Sequence, residues 1–299
     1  MASARVPARV AADPRSPWVV VGAAGLLGQD VVAAARAAGR TVTALTRGEL
    51  DVTDAAACAT ALAGAGVVVN CAAFTRVDDA ETHEAEAFAV NAVGPANLAR
   101  AAAATGARLV QPSTDYVFAG DATGHPYAED APVAPRSAYG RTKAAGEWAV
   151  RAADPSHLVL RTAWLYGAGG ASFPRTIVRA LRERGTVDVV DDQRGQPTWS
   201  RDVADLVVRL VVAGAPGGTY HATSSGETTW FGLAQASVTS AGLDPSAVRP
   251  TTSGAFPRPA PRPAYSVLGH AALRRVGVEP IGDWRERWDA AAPSVIPPR

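Results

Sequence analysis

In Trp18-Val-Val-Val-Gly22-Ala-Ala-Gly25-Leu26-Leu27-Gly28, four apolar residues give way to glycines spaced Gly-x-x-Gly-x-x-Gly, and an alanine-rich stretch runs on to Gly39. The pattern predicts a buried strand, a tight turn and a helix. Glycines at 22, 25 and 28 let the backbone approach an anion closely, and the N–H groups of the helix start favour negative charge there. With Leu26 and Leu27, which fall inside the turn, they form the predicted contact to a dinucleotide pyrophosphate.

Outward from this unit the alternation repeats. Thr41 to Leu45 and Val67 to Cys71 are predicted strands, separated by a helix that Asp54 caps and that reaches Leu62. A long helix from Glu81 to Ala104 leads to a strand at Arg108 to Gln111, and a helix from Tyr139 to Ala153 leads to a strand at Leu158 to Arg161. Strands alternating with helices at this spacing imply an α/β, doubly wound parallel sheet with ligands at the carboxyl ends of the strands. Beyond residue 161 the alternation loosens into a helix at Phe173 to Arg184, a strand at Val187 to Val190 and a helix at Asp202 to Val212. The proline-rich stretch Pro250 to Pro263 is predicted to be irregular. The expected organisation is a disordered tail at 1–17, a nucleotide-binding domain at 18–165 and a smaller substrate-binding lobe at 166–299, with 186–213 returning to the first domain.

Composition narrows the class. A net charge of +1 from 29 basic and 28 acidic residues gives no basic stripe for nucleic acid. Apolar runs such as Val67 to Val69 are far shorter than the roughly 20 residues of a membrane span, and residues 1–17 hold no apolar core of a secretory signal. Cys58 and Cys71 have neither metal-ligand spacing nor a pairing framework, which suits a reducing cytoplasm and assigns no metal.

An NAD-specific site would carry Asp or Glu at the end of the second strand, to accept from the ribose hydroxyls. That end reads Leu45-Thr46-Arg47. With no carboxylate there to repel a 2′-phosphate and Arg47 available to pair with it, NADP(H) is the predicted cofactor, with NADH tolerated. Asp51 and Val52 are placed to border the adenine.

The basic residues comprise 28 arginines and one lysine. That lysine is Lys143, four residues after Tyr139 and so on the same face of a helix. A free tyrosine titrates near 10; an ammonium beneath it favours the phenolate, and a lowering of roughly three units is worth about 4 kcal/mol. Thr114, in Ser113-Thr114-Asp115 at the end of the fourth strand, is the third candidate. The predicted chemistry is hydride transfer to a ketone carbon, with Tyr139 donating the proton, Thr114 hydrogen-bonding the same oxygen and Lys143 also holding the nicotinamide ribose.

At these residues the chain resembles the dTDP-4-dehydrorhamnose reductase family of extended short-chain dehydrogenases/reductases. The resemblance spans Trp18 to Trp288 and includes Leu50-Asp-Val-Thr-Asp54, Asn70-Cys-Ala-Ala-Phe-Thr-Arg-Val-Asp78, Val90-Asn-Ala92, Ser113 to Phe118, Tyr139 to Lys143, Leu160 to Tyr166, Asp191 to Thr198 and Phe256 to Pro263. It implies a Rossmann domain, NADPH, and reduction of the C4 ketone of dTDP-4-dehydro-L-rhamnose to dTDP-L-rhamnose in the cytoplasm. It also implies that Ala73, Phe74 and Thr75 line the cofactor, while Thr114, Asp115, Trp164, Thr75, Val77 and Arg258 face the sugar nucleotide. Arg258 and Arg262 would meet its diphosphate. Some members are dimers with magnesium at the subunit contact; the acids around Trp284 to Trp288 give no match, so a monomer or homodimer without an assigned metal is expected.

Three alternatives share the motifs. One is another dTDP-4-keto-6-deoxysugar ketoreductase of an antibiotic pathway, of dihydrostreptose type. A sugar-nucleotide 4-epimerase would favour an acid at the end of the second strand. The non-catalytic regulatory subunit of methionine adenosyltransferase would not need Thr114, Tyr139 and Lys143 intact.

Overall fold

A computed structural model describes residues 16–122 and 124–296. The first half runs β1 (Trp18–Val21), α1 (Leu26–Ala37), β2 (Val42–Leu45), α2 (Ala55–Ala61), β3 (Val67–Asn70), α3 (Glu84–Phe88), α4 (Gly94–Thr105), β4 (Arg108–Thr114), α5 (Ala138–Ala153) and β5 (Leu158–Thr162). It continues with β6 (Leu165–Tyr166), α6 (Phe173–Arg184), β7 (Val187–Val190), β8 (Arg194–Gly195), β9 (Thr198–Trp199), α7 (Ser200–Val212) and β10 (Gly218–His221). The chain ends with β11 (Thr228–Thr229), α8 (Trp230–Ser240), β12 (Val248–Thr251), α9 (Ala271–Arg275) and α10 (Trp284–Val295).

Six parallel strands form the central sheet in the order β10-β5-β4-β3-β1-β2. Side chains alternate across it, as the strand period of two requires. Val20, Val67, Val69 and Leu160 face α1, α7 and α9. Val19, Val21, Val68 and Val159 face α2, α4 and α5. Each fully buried valine or leucine contributes about 1.5–3 kcal/mol, so the sheet is held by its two covered faces, as parallel sheets generally are. The strand order reverses between β1 and β3, which opens a crevice at their carboxyl ends.

The smaller lobe has little regular sheet. Three two-stranded pairs, β7 with β12, β6 with β9, and β8 with β11, are covered by α6, α8 and α10. Its core is aromatic: Trp288 is fully buried, with the Tyr166 ring edge-on at 5.3 Å.

Several elements differ from the sequence expectation. The helix expected from Glu81 to Ala104 is three pieces, a 3₁₀ turn at Asp79–Glu81, α3, and α4, with a π-turn over Ala89–Val93 between the helices. Pro95 lacks the N–H that would bond the Asn91 carbonyl, which explains the break. Of 186–213, only α7 joins the central sheet, packing on α1, while β7 stays in the lobe beside β12. The strand that does return is β10, at residues 218–221. Pro250 lies within β12, where a two-stranded edge tolerates a residue without a donor. The tail expected at 1–17 lies outside the described residues except Ser16 and Pro17, and the Pro17 carbonyl is held by the Gly66 and Val67 N–H groups at 2.9 and 3.3 Å.

Candidate active site

The glycine turn and the loop after β3 meet at the crevice. Gly22 has φ +73°, and a Cβ there would collide with the backbone of Cys71 and Ala72. A Cβ on Gly28 would collide with the Gly22 carbonyl and Ala23, so neither position accepts a side chain. Gly25 is the N-cap of α1 and supplies no side-chain cap, and no acid stands in the first turn. The first N–H groups of a twelve-residue helix therefore face the crevice without a protein acceptor from the cap, the arrangement that takes a pyrophosphate. Leu27 differs from expectation: its side chain packs in the core with Val31 and Val203, so only its backbone can meet a cofactor. Leu26 stays half-buried at the turn.

The loop 71–75 is positioned by asparagines. Asn70 Nδ2 donates to Gln111 Oε1 at 2.8 Å, and its own Oδ1 accepts from the Ala72 N–H at 3.1 Å. Asn91, inside the π-turn, accepts from the Phe74 N–H at 2.9 Å and donates to the Phe74 carbonyl at 3.0 Å and to Thr142 at 3.1 Å. Ala73 and Thr75 flank Phe74 in this loop, the first half-buried and the second exposed. The Phe74 ring turns instead into a small cluster with Ala80, Ala87 and Ala138, and the Arg76 guanidinium lies 4.4 Å above it. Val77 is half-buried beside this loop.

Tyr139 and Lys143 stand one turn apart on α5, whose N-cap Ser137 accepts from the Gly140 N–H at 3.1 Å. Thr114, at the end of β4, lies against Tyr139, and its hydroxyl donates to Asp115 Oδ1 at 3.0 Å. Their electrostatics correct the sequence reading. Burial pushes the Tyr139 phenol up to about 12, against the lowering effect of Thr114 and with the help of the Asp115 charge; Lys143 is not among the groups that move it. The ammonium of Lys143 donates to the Pro112 carbonyl at 2.8 Å. Burial lowers its pKa to about 8, opposed by the negative charge of Glu147 and by Cys71. Burial also raises the Asp115 carboxyl to about 6, opposed by hydrogen bonds from Ser266 and Thr114.

Behind these residues lies an ionic network without precedent in the sequence reading. Glu147, one turn after Lys143, accepts from Ser113 at 2.6 Å and from Arg161 at 2.8 and 2.9 Å. Glu147 and Arg161 are 1% and 2% exposed, so each carboxylate oxygen and guanidinium arm must be satisfied internally. Arg161 completes its set on the Glu129 carbonyl and over the Phe118 ring.

On the lobe side, Trp164 has φ +46°, the one positive value among the described non-glycine residues, and stacks on Trp230 at 3.7 Å. Gly195 beneath it has no room for a Cβ. Trp230 went unnoticed in the sequence because it belongs to no quoted motif. A cavity of about 510 Å³ opens beside it, lined among others by Tyr116, Gln193, Phe256, Arg258 and Arg262. Tyr116 links the cavity to the catalytic candidates, edge-on to Tyr139 at 5.7 Å. Arg262 and Arg258 reach Asp78 at 2.8 and 3.6 Å, a clasp between the proline-rich strap and the loop after β3.

At the adenosine end the chain turns tightly after β2, the Thr46 carbonyl accepting from the Glu49 N–H at 3.1 Å. Arg47 is exposed at the end of β2. The carboxylate expected to be absent there is supplied by Glu49, which folds back onto Thr46. Asp51 Oδ1 accepts from the Thr53 N–H and hydroxyl at 2.9 and 2.8 Å, and the Val52 side chain packs into the core.

Similarity to known proteins agrees with this geometry. The family model described as the RmlD substrate binding domain matches residues 18–295. A dTDP-4-dehydrorhamnose reductase of Streptomyces griseus is 50% identical, covering 94% of this chain and 95% of the relative. A protein of Streptomyces antibioticus described as a probable dTDP-4,6-dihydroxy-2-methyloxan-3-one 4-ketoreductase is 51% identical over 93% and 95% of the two chains. Among solved structures, a dTDP-4-dehydrorhamnose reductase of Bacillus anthracis in complex with NADP is 32% identical with a TM-score of 0.88, covering 93% of this chain and 98% of that one.

Proposed function

The chain belongs to the dTDP-4-dehydrorhamnose reductase family, and from that premise we propose that it reduces the C4 ketone of dTDP-4-dehydro-L-rhamnose to the alcohol with NADPH. The observation that carries this reading is that Tyr139 and Lys143 lie one turn apart on α5, with Thr114 against the phenol and the Lys143 ammonium donating to Pro112, two residues before Thr114 on β4.

The glycine cradle and the open start of α1 fit a dinucleotide, whose nicotinamide supplies hydride when bound. Each protein group then has a task. A phenol held near 12 is fully protonated at neutral pH, which is the form a reductase needs in order to donate to a developing alkoxide. Thr114 adjoins the phenol and is itself held by its donation to Asp115 at 3.0 Å, and the two orient the phenol toward the substrate. Lys143 uses one N–H on Pro112 and keeps two for the nicotinamide ribose. Asp115, its carboxyl raised to about 6 by burial and its Oδ2 without a protein partner, would accept a sugar hydroxyl. Trp164 and Trp230 offer an aromatic wall to the sugar, and the cavity bearing Tyr116, Phe256, Arg258 and Arg262 suits the base and diphosphate.

A second reading has its own support. The relative from Streptomyces antibioticus is as similar as the rhamnose-type one, and a protein of Streptomyces niveus described as a dTDP-4-keto-6-deoxy-D-glucose reductase is 46% identical. The substrate is then a different dTDP-4-keto-6-deoxysugar, reduced by the same residues. NADPH consumption with dTDP-4-keto-L-rhamnose, its 3,5-epimer and the UDP counterpart separates the readings: rapid loss only with the first is expected. No consumption with any of them, in protein that binds NADPH, contradicts the ketoreductase reading.

A further inference from the structure

Glu49 lies four residues beyond β2, yet its side chain returns to the strand end. One oxygen, Oε2, accepts both the Thr46 backbone N–H at 2.8 Å and the Thr46 hydroxyl at 2.7 Å. This spot is fixed against the glycine turn, because Leu45 pairs with Val21 in the sheet and its carbonyl accepts the Ala23 N–H at 3.0 Å. In doubly wound sheets the same spot meets the adenosine ribose: a carboxylate takes the hydroxyls of NAD, a cation the 2′-phosphate of NADP. Here both kinds of group stand within three residues, the exposed Arg47 and Glu49.

The turn does not need the carboxylate for closure. The Thr46 carbonyl already accepts from Glu49 and Leu50 N–H groups at 3.1 and 3.0 Å. A backbone N–H and a hydroxyl converging on one anionic oxygen, one residue before the exposed Arg47, is a donor set that a phosphate oxygen would use.

We propose that Glu49 determines specificity at the ribose 2′ position, its carboxylate standing in for the 2′-phosphate on Thr46 and having to leave when NADPH binds. The inference rests on the reading that the glycine turn holds a dinucleotide. With NADH the carboxylate stays and accepts a ribose hydroxyl; with NADPH, Thr46 and Arg47 exchange it for the phosphate. The two bonds from Thr46 also hold the Glu49 carboxyl below its usual range.

The test is calorimetric binding, without turnover, of NADP⁺ and NAD⁺ and of the fragments adenosine 2′,5′-bisphosphate and 5′-AMP. Glu49→Gln is expected to raise the preference for the 2′-phosphorylated member of each pair by about fivefold, the size of one exposed charge interaction. Arg47→Ala is expected to lower it. An unchanged preference in Glu49→Gln, with Arg47→Ala still effective, would overturn the proposal and leave Glu49 as a turn residue. Wild-type protein that binds neither dinucleotide would instead overturn the underlying reading.

Discussion

Tyr139 and Lys143 illustrate how spacing and burial supply different information. Their separation by four residues was legible in the sequence, since it follows from helical geometry alone. The direction of the phenol's shift was not, because it depends on how completely distant segments exclude water. Burial raises Tyr139 to about 12 and lowers Lys143 to about 8, so the pair works as a protonated donor beside an ammonium near its own titration point. Tyr139→Phe is expected to cut turnover by about 10²–10⁴-fold while leaving NADPH binding by fluorescence titration within a factor of two or so. The ammonium is present below its pKa and lost above it, so the rate should fall as pH rises through about 8. Lys143→Met should abolish that alkaline limb and leave the melting temperature unchanged or higher, because it removes a buried charge. Glu49 was invisible to the sequence reading for a simple reason: the carboxylate is displaced along the chain from the strand end that it occupies in space.

At the scale of elements, the strands of the first half were legible because each is a short apolar run bounded by glycine, proline or a capping residue. The helix expected at Glu81 to Ala104 was read too simply, since a π-turn costs nothing in hydrophobic pattern and is betrayed only by Pro95. That turn aims Asn91 at the loop after β3. Asn91→Ala removes three hydrogen bonds from a buried position and should destabilise the protein by about 1–3 kcal/mol. It should also weaken NADPH binding more than it slows turnover at saturation, measurable by comparing the dissociation constant with kcat. The buried Glu147–Arg161 pair predicts a different signature. Glu147→Gln strands a guanidinium and should cost about 3–5 kcal/mol in chemical denaturation. In whatever fraction folds, the alkaline limb set by Lys143 should move to lower pH, since Glu147 is the largest influence holding the ammonium's pKa up. Most of the lobe's sheet was illegible. Strands of two residues, such as β6, β8, β9 and β11, carry no periodicity, and their pairing is fixed by partners far away in sequence.

Across the whole molecule, the two halves are tied by β10, α7 and α9 joining the nucleotide-binding sheet and by the Asp78 clasp on the proline-rich strap. The seam near β10 contains His221 and His270, whose pKa values are lowered to about 3 and about 4, chiefly by burial and secondarily by Arg161 and Arg274. Both are neutral in the fold and titrate near 6.5 when unfolded, so their contribution is present above pH 6.5 and lost as pH falls. Asp115, raised to about 6, takes up a proton in the fold over part of this range and offsets one of the two. Stability should therefore decline by about 1.4 kcal/mol per pH unit between about pH 6 and 4.5, one net proton's worth. Either His221→Phe or His270→Gln alone should flatten the slope in urea titrations, and the two together should reverse it, because Asp115 then titrates unopposed. The central claim, that the crevice carries out hydride transfer to a C4 ketone, is tested most directly by a single turnover with excess enzyme, NADPH deuterated at its transferring carbon, and dTDP-4-keto-L-rhamnose. Deuterium at C4 of a reduced dTDP-sugar, formed by the wild type and not by Tyr139→Phe, is the predicted result. Unreduced sugar, or reduction without label at C4, in protein saturated with the dinucleotide would contradict it.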